Sequence, residues 1–155
     1  MPKSTSYQKG HLHFSYHVAA LIQDGDNHSL RVLLHRPAED DFWSLPGGKV
    51  ELGEESEQAL RRQIRAQLDC EIEITRLLWL VENFFERGGE KFHELGLYFL
   101  ARLPQGGPPL PRAFQWFPCR PEILADLNIR PTFLNDRLAQ IPEQIENVKI
   151  SCGNL

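Results

Sequence analysis

The clearest periodicity lies between Ser56 and Leu68. Leu60, Ile64 and Leu68 recur every four residues, which predicts a helix with one apolar stripe. Ser56 is the expected N-cap, and Glu54, Glu55 and Glu57 suit the positive end of the helix dipole. Asp69 follows where a glycine often ends a helix. Aspartate tolerates the left-handed conformation better than most residues, so the helix can stop there. Upstream, residues 13–22 and 30–35 have strand texture and are separated by the turn-forming Asp24-Gly25-Asp26-Asn27, so they are expected to form a hairpin. Downstream, residues 71–85 and 91–103 read as two long strands around Arg87-Gly88-Gly89-Glu90, a tight hairpin turn. With Gly88-Gly89 as a two-residue turn, Asn83 lies opposite Glu94 and Phe84 opposite His93. Glu82 and Glu94 then face opposite sides of the sheet. Residues 104–111 hold four Pro and two Gly and read as a loop. A short strand over 113–117 and two helix starts at Pro121 and Pro131 complete the pattern. The order of elements predicts an α+β domain with a mixed or antiparallel sheet.

Composition narrows the class. The 155 residues suit one domain, expected over 13–155 after a polar, frayed segment over 1–12. With 17 basic against 21 acidic residues the net charge is −4. No polybasic surface for a nucleic-acid polymer is implied. No apolar run approaches a membrane span. Three cysteines, Cys70, Cys119 and Cys152, form no CxxC pair. Together with a start that lacks the apolar core of a leader peptide, they suggest free thiols in a cytoplasmic protein. The six histidines are scattered without zinc-ligand spacing.

Chemistry concentrates between Gly47 and Cys70. Gly48 is followed by five residues and then Glu54, and Glu54 by seven residues and then Arg62, with the aliphatic Ile64 two positions later. This segment resembles the Nudix box. Its flanks agree: Phe42-Trp43-Ser44-Leu45-Pro46-Gly47-Gly48 before it, and Val81-Glu82-Asn83-Phe84-Phe85, Phe92-His93-Glu94-Leu95 and Phe114-Gln115-Trp116-Phe117-Pro118 after it. The resemblance implies an α/β/α sandwich around a mixed sheet. It also implies descent from hydrolases of nucleoside diphosphates linked to another group, with Mg²⁺ or Mn²⁺ as cofactor. Nudix relatives are often dimers, so a homodimer is an open expectation.

The departures are specific. Gln63 stands where the family has a glutamate, and Ala66 and Gln67 stand where it has a pair of them. In the family these three carboxylates hold the metal against a pyrophosphate. Positions i, i+3 and i+4 share one helical face, which explains the spacing. Mg²⁺ takes hard oxygen ligands, including one or two carboxylates. Here that face offers two neutral amides and a methyl group. From Gln58 to Leu68 the helix has Arg61, Arg62 and Arg65 and no acid, so its local field repels cations and attracts phosphate.

The candidate site therefore comprises the vestigial positions Arg62, Gln63, Ala66 and Gln67. Gly47, Gly48, Lys49, Arg62 and Arg65 are phosphate-binding candidates. Each has a structural alternative: loop geometry for the glycines, and a bond to an acid such as Glu51 for Arg62. Relocated metal ligands would come from Glu54, Glu82 and Glu94, with Glu54 or Glu94 as catalytic carboxylates. Phe42, Trp43, Phe84, Phe85 and Tyr98 can stack on a base or fill the core. Three readings follow: a binder of a phosphorylated nucleotide or metabolite with impaired hydrolysis, an active hydrolase with relocated ligands, and a non-enzymatic interaction domain.

Overall fold

The computed structural model describes residues 5–151. The strands are β1 (Tyr7–Lys9), β2 (Leu12–Asp24), β3 (Arg31–His35), β4 (Gly47–Lys49), β5 (Glu73–Arg87), β6 (Glu90–Arg102), β7 (Phe114–Pro118) and β8 (Glu146–Ser151). The helices are α1 (Ser56–Leu68), α2 (Pro121–Leu124) and α3 (Leu134–Arg137). The strands run in the order β7-β3-β2-β6-β5-β8, with β1 and β4 both added to β2. The β2·β6 and β5·β8 pairs are parallel and the others antiparallel. The expected mixed sheet is therefore present.

Alternation along β2 builds a core on each face of the sheet. Val18, Ala20 and Ile22 pack with Leu60, Ile64 and Leu68, the stripe of α1. Ala19 and Leu21 point the other way and pack with Leu124, Leu134 and Leu138 on the α2–α3 side. Burying each of these Val, Leu and Ile side chains is worth ~1.5–3 kcal/mol, so both helical layers are held by side chains of successive β2 residues. This is the α/β/α sandwich. Among the described residues no helix is long and apolar enough to cross a membrane.

Several local expectations change. Tyr7–Lys9, expected to fray, pairs with Leu12–Phe14. The N-cap of α1 is Glu55, whose backbone N–H donates to the Gln58 side-chain oxygen at 3.3 Å, and Ser56 is the first helical residue. Pro121 does open α2, but Pro131 follows a cis peptide bond and lies three residues before α3. Asp69 ends α1 in the left-handed region at φ 54°, as its chemistry suggested. Gly88 and Gly89 both have positive φ, 60° and 79°, and link Arg87 to its pairing partner Glu90. The predicted register follows, with Asn83 opposite Glu94 and Phe84 opposite His93. Cys70 and Cys119 are free thiols, and burial raises both pKa values, that of Cys119 to about 11. Cys152 lies outside the described residues.

Candidate functional site

The Gly47-Gly48-Lys49 segment sits between β2 and α1. On one side it pairs antiparallel with Ala19, Val18 and His17. On the other, α1 donates to its carbonyls. Gln67 Nε2 donates to the Gly47 carbonyl at 2.8 Å, and Gln63 Nε2 donates to the Lys49 carbonyl at 3.2 Å. Side chains on the glycines would be crowded, by backbone at Gly47 and by the Gln63 side chain at Gly48. A Cβ on Gly48 would meet the Gln63 amide at 2.5 Å, and one on Gly47 would collide with the Val18 carbonyl. The glycines thus serve close approach of strand and helix. The Gln67 amide orientation follows from its partner, since a carbonyl can only accept. That leaves Gln67 Oε1, which is the one buried side-chain polar atom among the described residues without a hydrogen-bond partner.

The acids and arginines of the box are committed to one another. Arg62 donates to both oxygens of Glu54, through Nε at 2.8 Å and Nη2 at 3.0 Å. Its Nη2 also donates to the Lys49 carbonyl at 3.0 Å, and Glu51 lies 3.8 Å from Nη1. Glu54 in turn accepts from the Glu51 backbone N–H at 3.1 Å. The hydrogen bonds from Arg62 hold the Glu54 carboxyl below its usual range and raise the arginine. Of the two roles open to Arg62 in the sequence, the structure shows the bond to an acid. Arg65 is exposed and paired with Glu71. Ala66 is exposed.

Beside the glycine segment lies a cleft of about 660 Å³, bordered by Gly47 and Gly48 and by residues of β2, β5 and β6. His17, Asn83, Glu94 and Tyr98 line it, together with Phe42, Phe85, Arg87 and Arg130. Of the candidate aromatics, Phe42, Phe85 and Tyr98 reach this cleft. Trp43 packs edge-on against Phe117, and Phe84 stacks on His93. Glu82 does not border the cleft; its register partner is Leu95, one residue from Glu94 and on the opposite face. Glu54, Glu82 and Glu94 are therefore not brought together.

Burial shifts His17, Glu94 and Tyr98 in the cleft toward their neutral forms. His17 Nε2 lies 2.8 Å from Ser15 Oγ and 3.8 Å from Glu94. Burial, helped by the nearby Lys49 charge, lowers the His17 pKa to about 4. Burial raises the Glu94 carboxyl, against the pull of Arg87 and Lys49. Burial, and secondarily the Glu94 charge, raises the Tyr98 hydroxyl. Lys49, Arg87 and Arg130 form no close ion pair with a carboxylate among the described residues, although the charges of Arg87 and Lys49 act on Glu94. Sequence reasoning did not single out His17, Asn83, Arg87 or Arg130. The one usable signal was Ser15 and His17 at i and i+2, which share a strand face.

The donor set does not suit the family's metal. Mg²⁺ needs oxygen ligands with some negative charge. The helix face turns amide N–H groups toward the loop carbonyls, and Glu54 is held by Arg62. No cluster of three or more His, Cys, Asp or Glu among the described residues could hold a metal ion.

Comparison with known proteins places the fold. The Nudix domain model matches residues 13–131. A MutT Nudix hydrolase from Burkholderia pseudomallei is similar at 28% identity, with 83% of this chain and 98% of that one covered and a TM-score of 0.64. The Ap4A hydrolase of C. elegans is similar at 20% identity, covering 68% and 81%, with a TM-score of 0.55. A UDP-X diphosphatase is similar at 21% identity over 75% of this chain, with a TM-score of 0.57; the chain spans 54% of that protein's length. No curated protein matches the chain. The matched domain model takes in the glycine segment, α1 and the cleft strands β2, β5 and β6, and the chain belongs to the Nudix family.

Proposed function

We propose that this Nudix domain binds a phosphorylated small molecule, a nucleotide in the first instance, and hydrolyses it poorly or not at all by the family's metal-dependent route. The observation that carries the reading is the α1 face. Gln63 and Gln67 stand where metal-binding carboxylates would, and their N–H groups are spent on the Lys49 and Gly47 carbonyls. Without that site, the polarisation a metal gives to a phosphoryl group is missing. The cleft still has features that suit a nucleotide. Arg87 and Arg130 in its lining, with Lys49 beside His17 at its border, supply positive charge for phosphate, and Phe42, Phe85 and Tyr98 supply apolar surface for a ring. The Ap4A hydrolase and UDP-X diphosphatase that share the fold make nucleoside polyphosphates and nucleoside diphosphate conjugates the first compounds to test.

The purified protein, incubated with such a panel, is expected to show no turnover that Mg²⁺ restores and a chelator removes. One or more of the compounds is expected to raise its melting temperature, because a ligand of the folded state stabilises it. Robust chelator-sensitive turnover would overturn the reading. No thermal shift across the panel would favour the interaction-domain alternative. Glu94 supports a second enzymatic reading, since it lines the cleft with a raised carboxyl pKa, as a general acid or base requires. Any turnover detected should then fall by a factor of ~10²–10⁴ in Glu94→Gln.

A further inference from the structure

We infer that Gln63 and Gln67 replace a cation with amide N–H groups, so that the glycine segment is locked to α1 without metal, and that Gln67→Glu alone converts this lock into a metal-dependent one. The inference deepens the proposed function by naming what the helix face does in place of holding a metal. Its test uses no nucleotide, so the two can fail separately.

The lock is a matter of donors and acceptors. The Gly47 and Lys49 carbonyls point at α1, and a carbonyl can only accept. Any oxygen facing it leaves two acceptors with nothing between them, and only a proton or a cation resolves that contact. A glutamine resolves it internally, by turning its N–H group to the carbonyl. Both glutamines do this, at 2.8 Å from Gly47 and 3.2 Å from Lys49. Arg62 adds a second donor to the Lys49 carbonyl, at 3.0 Å.

Geometry sharpens the comparison. Adjacent oxygens of an octahedral Mg²⁺ shell with bonds of 2.0–2.1 Å lie ~2.9 Å apart. Gln67 Nε2 and the Gly47 carbonyl oxygen are 2.8 Å apart. A carboxylate oxygen put in place of that nitrogen would sit at the spacing of two ligands of one ion, with the ion missing. The remaining atom agrees with this view. Gln67 Oε1 is buried without a hydrogen-bond partner, so the amide orientation is set by the carbonyl that the N–H group serves.

Thermal unfolding in Mg²⁺ and in EDTA at matched ionic strength tests the lock. The wild type is expected to melt at the same temperature in both. Gln67→Glu is expected to melt several degrees lower in EDTA and to recover in millimolar Mg²⁺ or Mn²⁺. Gln67→Met, which removes the donor and adds no charge, should melt lower than the wild type by the same amount in both. If Gln67→Glu fails to fold in EDTA, Gln63→Glu gives the same readout through a longer, less buried contact. A saturable rise of the wild-type melting temperature with Mg²⁺ would overturn the inference. So would glutamate variants that match the wild type in EDTA or ignore added metal.

Discussion

His17 shows how much a single residue's setting decides. Its imidazole is partly enclosed between Ser15, Glu94 and the charge of Lys49, and its pKa falls from 6.5 to about 4. In the unfolded chain it takes a proton as pH drops through 6.5, while the folded protein resists until about pH 4. The unfolded state thus binds more protons in that window, and stability falls with pH. The full stabilisation is present above pH 6.5. Up to ~3 kcal/mol is lost by pH 4 from this group alone. His17→Asn should flatten that part of a urea-denaturation series run from pH 7 to pH 4, whereas an unchanged slope would show that His17 titrates normally. Only the shared strand face of Ser15 and His17 could be read from the chain. The shift itself depends on strand pairing, which sets His17 beside Lys49 and one strand from Glu94. The glutamines at 63 and 67 were legible as absences of charge. What they do instead, donating to two specific carbonyls, depends on a loop path that sequence periodicity does not describe.

At the scale of the element, α1 was the most legible part of the chain. The stripe of Leu60, Ile64 and Leu68 is fully or nearly fully buried, and the helix runs over the expected span. The miss at its start is small and physical. Glu55 and Gln58 are themselves good cap partners, and they displaced Ser56 by one residue. The stop at Asp69 has a cost, because an L-residue at φ 54° is strained where glycine is not. Asp69→Gly is therefore expected to raise stability by ~0.5–1 kcal/mol. Denaturant midpoints of the two proteins measure this directly, and a loss of stability would show that the Asp69 side chain contributes more than its backbone strain costs. The β5–β6 hairpin was equally legible, because Gly88-Gly89 fixes the register through turn geometry alone. β4 and β8 were not. β4 is Gly-Gly-Lys and has almost no side chains to form a pattern. β8 is six residues at a sheet edge with alternating exposure, and its partner β5 lies about sixty residues earlier in the chain.

On the scale of the whole molecule, the net charge of −4 conceals an ordered arrangement. Acids crowd the loop at Glu51, Glu54 and Glu55 and the first turn of α1 at Glu57, arginines follow further along α1, and Glu54 and Arg62 join the two. The fold class followed from the sequence because both hydrophobic periods and the box pointed the same way. The cleft did not, because it is assembled from strands that are distant in sequence and side by side in space. β2 meets β6 in parallel over eleven register pairs, from Leu12–Lys91 to Ile22–Ala101. That pairing has a consequence for how the protein comes into being. Local contacts close at little entropic cost, whereas joining segments some eighty residues apart must wait for compensating contacts. The β5–β6 hairpin is therefore expected to form early in refolding and the β2–β6 seam late. In pulse-labelling hydrogen exchange, hairpin amides such as Phe85 and Phe92, which face each other across the turn, should gain protection before those of the seam. Simultaneous protection would show one concerted step instead. His17 comes from one side of that seam and Glu94 from the other, so the hairpin can set Asn83, Arg87 and Glu94 early, while His17 joins them only when the β2–β6 seam closes.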